Sequence, residues 1–342
     1  MQTLYIDRRD SELDIQGSRL QVRIPGADKP FSVPLNVLEF LVVSASVRFS
    51  STLLSRLNLA GITAVFLNPR KEEATSIAYG LLHNAADRRL MQYQVISDES
   101  CRLRYSTDLV RQKLRAQRAM LLRALRQRPD RRHGLFKGIQ RLKSIEESLE
   151  RVASVDSLRG IEGAGAAMYF QAYQCVFAPR LQFDGRNRRP PRDPVNVALS
   201  LTYTLMHAEA IRVLVSSGFD PQLGIYHLPS FGRESLACDL VEIYRPSIEH
   251  WVWRLFAEET LRLDHFAISE EADRPCILGK AGRAEYYRCY EHQARRWRKR
   301  MRRSARLWLA RLQQDATLPA QPSSLADTFD DFDAGELFGG EP

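Results

Sequence analysis

VRQKLRAQRAMLLRALRQRP, residues 110–129, is the stretch that makes the second part of the chain helical. Val110, Leu114, Leu121 and Leu125 return at steps that keep one side of a helix apolar, with Arg and Lys between them. Pro129 stops the run, since a proline has no amide to continue the ladder. Leu142, Ile145, Leu149 and Val152 repeat the pattern beyond an Arg, Asp, His and Gly cluster at 128–134, which reads as a loop. The helical period begins near His83. Before it the period is two: Leu4-Tyr5-Ile6, Leu13-Asp14-Ile15, and alternating Leu20, Val22 and Ile24 after the turn at 16–18. Val37 to Val43 and Ile62 to Leu67 read as more deeply buried strands, with a helix over Ser51 to Leu59 between them. The expected fold class is therefore α+β. A strand-rich domain over 1–82 is followed by a larger all-α domain over 83–315, and no internal repeat is visible.

Composition bounds the function. With 342 residues, 44% of them hydrophobic, the chain can bury a core in each domain. No apolar run approaches the roughly 18 residues of a membrane span, and the first residues form neither a basic leader nor a signal-like run, so a cytoplasmic protein is expected. Cys101, Cys175, Cys238, Cys276 and Cys289 are scattered, odd in number and lack a Cys-x-x-Cys pair, which argues against a disulfide framework or a zinc knuckle. Residues 316–342 lose all periodicity and read as an acidic, disordered tail, tether or mere solubiliser. The formal charge is +9, yet residues 315–342 carry seven acids and no Lys or Arg, so the rest of the chain stands at +16. Such a surplus on a folded body points to a polyanion such as nucleic acid.

Three segments carry candidate chemistry. Glu162 sits in Gly160-Ile161-Glu162-Gly163-Ala164-Gly165, among residues of so little bulk that a ligand or backbone can approach; equally, it is a solvated Glu in a first helical turn. His227 ends the loop Gly218-Phe219-Asp220-Pro221-Gln222-Leu223-Gly224-Ile225-Tyr226, where it is a ligand, a general base or neither. Asp239 and Glu242 share one face of a helix starting after Gly232-Arg233-Glu234, which Pro246 is expected to end. Two acids and an imidazole could hold a cation, although Arg233 and Arg245 could simply pair with the acids.

In order, these segments resemble the CRISPR adaptation integrases, the Cas-one proteins. A Gly-Ile-Glu-Gly start is followed by an aromatic at Tyr169, then Arg188-Arg189-Pro190-Pro191-Arg192-Asp193-Pro194-Val195-Asn196, then the Gly218 to His227 element. A Gly-Arg-x-Ser-Leu-x-x-Asp-Leu-x-Glu-x-x-Arg-Pro element over 232–246 completes the pattern. Arg89, Gln92 and Tyr93 match the family's entry to the helical domain, and Ala167 departs from it where an Arg is usual. The resemblance spans roughly residues 1 to 310 and is strongest between Gly160 and Pro246. It implies that Glu162, His227 and Glu242 bind a divalent metal, with Asp239 supporting the catalytic site, and the donor set suits Mg²⁺ or Mn²⁺. It further implies strand transfer of a spacer DNA 3′ end into a CRISPR repeat, a homodimer formed by the strand domain, and a small Cas-two dimer as partner. The alternatives are a free-standing metal-dependent DNA endonuclease and a non-catalytic DNA-binding scaffold. Double-stranded DNA is expected to meet Arg186, Arg188, Arg189 and Arg192 on the Pro-rich loop, Arg233 and Arg245 by the site, and Arg295, Arg296, Arg298 and Lys299 in the basic run reaching Arg306.

Overall fold

The computed structural model describes residues 2–67, 75–78, 86–187, 190–267 and 276–316. Nine short strands and helices form its first part, in the order β1 (Gln2–Ile6), β2 (Ser11–Gln16), β3 (Arg19–Arg23), β4 (Phe31–Pro34), β5 (Leu38–Val43), β6 (Val47–Phe49), α1 (Ser51–Leu59), β7 (Thr63–Phe66) and β8 (Ser76–Ala78). They make two four-stranded sheets. One has the order β1-β5-β7-β8, with β5 parallel to both β1 and β7; the other has the order β4-β3-β2-β6, antiparallel except for the parallel β2–β6 pair.

Strand β5 shows why its sequence is an unbroken apolar run rather than an alternating one. Leu38, Leu41 and Val43 join Leu13, Leu20, Val22 and Leu53 in a core between the sheets, while Phe40 and Val42 join the helical core. Neighbouring β7 divides in the same way, Ala64 to the first core and Val65 to the second. A strand buried on both faces has no polar face to display.

The helical part consists of α2 (Ala86–Ser97), α3 (Glu99–Gln127), α4 (Arg132–Ser148), α5 (Val155–Tyr173), α6 (Pro194–Ser216), α7 (Ser235–Ala257) and α8 (Lys280–Asp315), with a small β9–β10 hairpin (Phe266–Ala267, Ile277–Leu278) before α8. The strand-rich to helical order is as expected; the boundary at 82/83 lies outside the described residues, as does the tail from 317 onward. Helix α1 and the stop before Pro129 agree with the sequence reading, and β4, β6 and β8 were not foreseen. Asp98 caps α3 by accepting the Cys101 amide at 2.9 Å, and Asp193 caps α6 by accepting the Asn196 amide at 2.8 Å.

Two helix boundaries differ from the sequence reading, the first being that α4 already begins at Arg132, inside the 128–134 cluster expected to be a loop. Pro246 does not end its helix: α7 continues to Ala257 because Ile248, Val252, Trp253, Leu255 and Phe256 beyond the proline are all buried. Their burial offsets the roughly 3 kcal/mol an internal proline costs. Pro246 also has no amide for the carbonyl four residues earlier, which belongs to Glu242. No helix among the described residues is long and apolar enough to cross a membrane.

A buried polar junction holds the two parts together. Arg298 of α8 donates to Glu209 of α6 at 2.6 Å, to both oxygens of Glu291 at 2.8 and 3.0 Å, and to the Thr3 hydroxyl of β1 at 3.0 Å. Tyr5 donates to Glu291 at 3.2 Å and stacks on Tyr287. An arginine this deep needs every donor answered, and here carboxylates answer most of them.

Candidate active site

Helix α3 packs against both α5 and α7, and the three contribute the charged groups of one site. Gly165 lets α5 approach, since a Cβ there would meet Leu114 Cδ2 of α3 at 2.6 Å; by contrast, Gly160 and Gly163 beside Glu162 face open space. Glu162 therefore stands on the open side of a close helix pair. Its side chain is about a fifth exposed, whereas that of Glu242 on α7 is almost fully buried.

Lys113 of α3 reaches between them. Its ammonium donates to Glu162 Oε1 and lies 2.6 Å from Glu242 Oε2. Arg245, one turn along α7, places Nε 2.9 Å from Glu242 Oε1, and its guanidinium lies over the Tyr203 ring at 4.7 Å. Burial alone would raise the Glu242 pKa, but Arg245 and Lys113, with the nearby His227 imidazole, hold it down to about 2. Conversely, the Lys113 ammonium is held above its ordinary value because Glu242 and Glu162 outweigh its burial.

The His227 loop is built from backbone bonds. Asp239, fully buried on α7, accepts the Ile225 and Tyr226 amides on Oδ2 at 2.7 and 3.0 Å; its Oδ1 accepts the His227 amide at 3.0 Å and meets His227 Nδ1 at 2.6 Å. A carboxylate there requires the proton on Nδ1, which leaves Nε2 as the lone-pair nitrogen. Gln92 of α2 clamps the loop from the other side, donating to the Asp220 and Leu223 carbonyls at 2.9 and 2.8 Å and accepting the Asp220 amide at 2.9 Å. Gly224 is forced by contact: a Cβ would lie 2.2 Å from the His227 carbonyl oxygen. Burial first, and then the charges of Glu162 and Glu242, raise the Tyr226 phenol.

The donor set fits a hard divalent cation. Glu242 Oε2 is buried without a well-directed hydrogen bond despite the nearby ammonium, and two carboxylates already share one positive charge. Among the described residues no three His, Cys, Asp or Glu side chains form a group that could hold a metal ion; the Lys113 ammonium stands between the two glutamates. Two hollows of about 520 Å³ each border Phe177 and none of these groups.

The DNA-contact candidates divide. Arg192, Arg233, Arg295, Arg296 and Lys299 are exposed, and Arg188 and Arg189 lie outside the described residues. Arg298 is corrected: it is buried in the interdomain junction and cannot face a phosphate. Arg186 donates to Asn196 and Ser200 and lies over Tyr203, which makes it a brace for the Pro-rich loop rather than a free cation. Arg245 serves Glu242 from beneath. Lys113 and Gln92 were missed as site residues; the available signal was a lysine and a glutamine occupying positions on the apolar side of amphipathic helices.

Comparison with known proteins follows the same lines. The family model for CRISPR associated protein Cas1 matches residues 4–292. A CRISPR-associated endonuclease Cas1 from Thermodesulfovibrio yellowstonii is 37% identical over 297 residues, covering 85% of this chain and 91% of that protein. Among solved structures, a casposase bound to its integration product superposes with a TM-score of 0.80 at 17% identity, covering 98% of both chains. A chain of a Cas6-RT-Cas1–Cas2 complex gives a TM-score of 0.77 at 21% identity, over 92% of this chain and 35% of that one. At these identities the structural likenesses establish the fold.

Proposed function

The chain belongs to the CRISPR-associated Cas1 family, and on that premise we propose that it is an adaptation integrase whose Glu162, His227 and Glu242 hold one Mg²⁺ or Mn²⁺. The observation that carries this reading is the gathering of two carboxylates around a single cationic position, with Glu242 on the same helix as the Asp239 that fixes the His227 proton on Nδ1. When bound, the ion would neutralise a phosphoryl oxygen and ease ionisation of the entering or leaving 3′ oxygen. The protein's own part is orientation. Asp239 sets the imidazole, Arg245 and Tyr203 set Glu242, and Gln92 fixes the loop.

In this reading the nucleophile is the 3′ hydroxyl of a spacer DNA fragment and the target is a phosphodiester at a repeat edge. The exposed Arg295, Arg296 and Lys299 of α8 supply phosphate contacts, and Arg192 and Arg233 do so nearer the site. The working unit is a cytoplasmic homodimer formed through the strand region and assembled with Cas2. Phe31, Phe49 and Leu59, exposed on that region, support the self-pairing. Light scattering of the full chain should show a dimer that Phe49→Asp weakens; a wild-type monomer at micromolar concentration counts against it.

The test of the chemistry is strand transfer of labelled spacer DNA into a supercoiled repeat plasmid with Cas2 present. Glu162→Ala, His227→Ala and Glu242→Ala should each remove most joined product while duplex affinity stays near normal, since affinity comes from phosphate contacts elsewhere. Full strand transfer by Glu242→Ala sinks the assignment. Cleavage without joining by the wild type favours a plain nuclease.

A further inference from the structure

Lys113 is a charged group of the site to which neither the metal reading nor the loop scaffold assigns a role. It lies on the inward stripe of α3, with Val110, Leu114 and Gln117 buried around it, where an apolar residue would ordinarily stand. Its side chain is only 7% exposed, and its ammonium touches Glu162 and Glu242 from between them. A buried ammonium is retained only where acids answer it. Arg245 is pinned by its stacking on Tyr203, but the lysine ends in an unbranched stem that can swing.

We propose that the Lys113 ammonium is a resident counter-ion of the active site, holding Glu162 and Glu242 together before a divalent ion arrives and yielding that position when the ion binds. The inference rests on the reading of those two glutamates as ion ligands. A divalent ion sits about 2.1 Å from each carboxylate oxygen, within the space the ammonium fills, so the two cations compete for the same oxygens. The lysine thereby keeps the carboxylates from repelling one another in the ion-free protein, and it lowers the affinity of the site for the ion. It is a positioning residue.

The experiment is calorimetric titration of the full-length protein with Mn²⁺ alone, together with thermal melting with and without Mn²⁺. Lys113→Met should bind Mn²⁺ at least tenfold more tightly than wild type, melt at a lower temperature without the ion and gain more from its addition. Lys113→Arg, which keeps the charge, should remain within about threefold of wild type. Equal Mn²⁺ affinity in wild type and Lys113→Met overturns the proposal. If the Met variant does not fold, side-chain ¹⁵N spectra of the wild type decide. A protected Lys113 ammonium signal should move or vanish on saturation with Mg²⁺, and a signal that stays unchanged overturns the proposal. Glu162→Gln and Glu242→Gln separate the two levels of inference. Unaltered Mn²⁺ binding in these variants defeats the site assignment itself, whereas loss of binding in them with no effect of Lys113→Met defeats the lysine's role alone.

Discussion

Replacing Asp239 by Asn changes one atom and puts a donor where every neighbour is a donor. The carboxylate receives two donors on each oxygen: the Ile225 and Tyr226 amides on Oδ2, and the His227 amide and imidazole on Oδ1. Whichever oxygen becomes NH₂, two partners are left facing it. Each bond to a charged acceptor contributes roughly 1.5–3 kcal/mol, so losing two, with some relaxation of the loop, should cost about 2–4 kcal/mol. If the NH₂ turns toward His227, the ring can accept on Nδ1 only by moving its proton to Nε2, and the nitrogen needed as a ligand is then blocked. Loss of such a supporting partner typically costs about 10- to 100-fold in metal affinity or activity. Urea unfolding reads the first effect and Mn²⁺ calorimetry the second, with strand transfer expected to fall in proportion to ion occupancy and to recover partly in excess Mn²⁺. An Asn variant within about 0.5 kcal/mol of wild-type stability, with unchanged Mn²⁺ affinity, would refute this account of the loop.

Gln92→Leu removes three hydrogen bonds to the His227 loop and should cost about 2–3 kcal/mol in denaturant unfolding, lowering strand transfer more than DNA affinity. Gly224→Ala should destabilise by at least about 2 kcal/mol, since its Cβ would meet backbone, which cannot swing aside. For His207 of α6, burial opposes the charge, but bonding to Cys238 and to Glu234 at the start of α7 outweighs it and lifts the pKa to about 9. A raised folded pKa stabilises fully below the ordinary value near 6.5 and loses that stabilisation as pH climbs to 9. Unfolding measured from pH 6 to 9.5 should therefore show a loss of about 1–2 kcal/mol that His207→Gln lacks.

How much of this the sequence revealed depended on how local each cause was. The period-two strands, the helix over Ser51–Leu59 and the stop before Pro129 follow from neighbours in the chain, and they were readable. An ordered motif singled out Glu162, His227, Asp239 and Glu242, and the structure joins Asp239 to His227 directly. What stayed hidden were long-range effects. Pro246 reads as a helix stop until the apolar residues beyond it find a core. Arg298 reads as one more cation in a basic run until Glu209 and Thr3, distant in sequence, surround it. Lys113 has the same look among the arginines of α3, although its place beside Leu114 on the apolar stripe was a clue.

The junction at Arg298 also sets an order of assembly. Thr3 and Tyr5 emerge from the ribosome nearly three hundred residues before their partners Glu291 and Arg298. Until then Tyr5 lacks the Tyr287 ring that stacks on it, although α6 already brings Arg212 over Phe40 of β5. Early strands can pair, but a contact of such sequence separation cannot close during synthesis. The Arg298 junction therefore stays open, and with it the Tyr5 edge of the strand region, until α8 has been made.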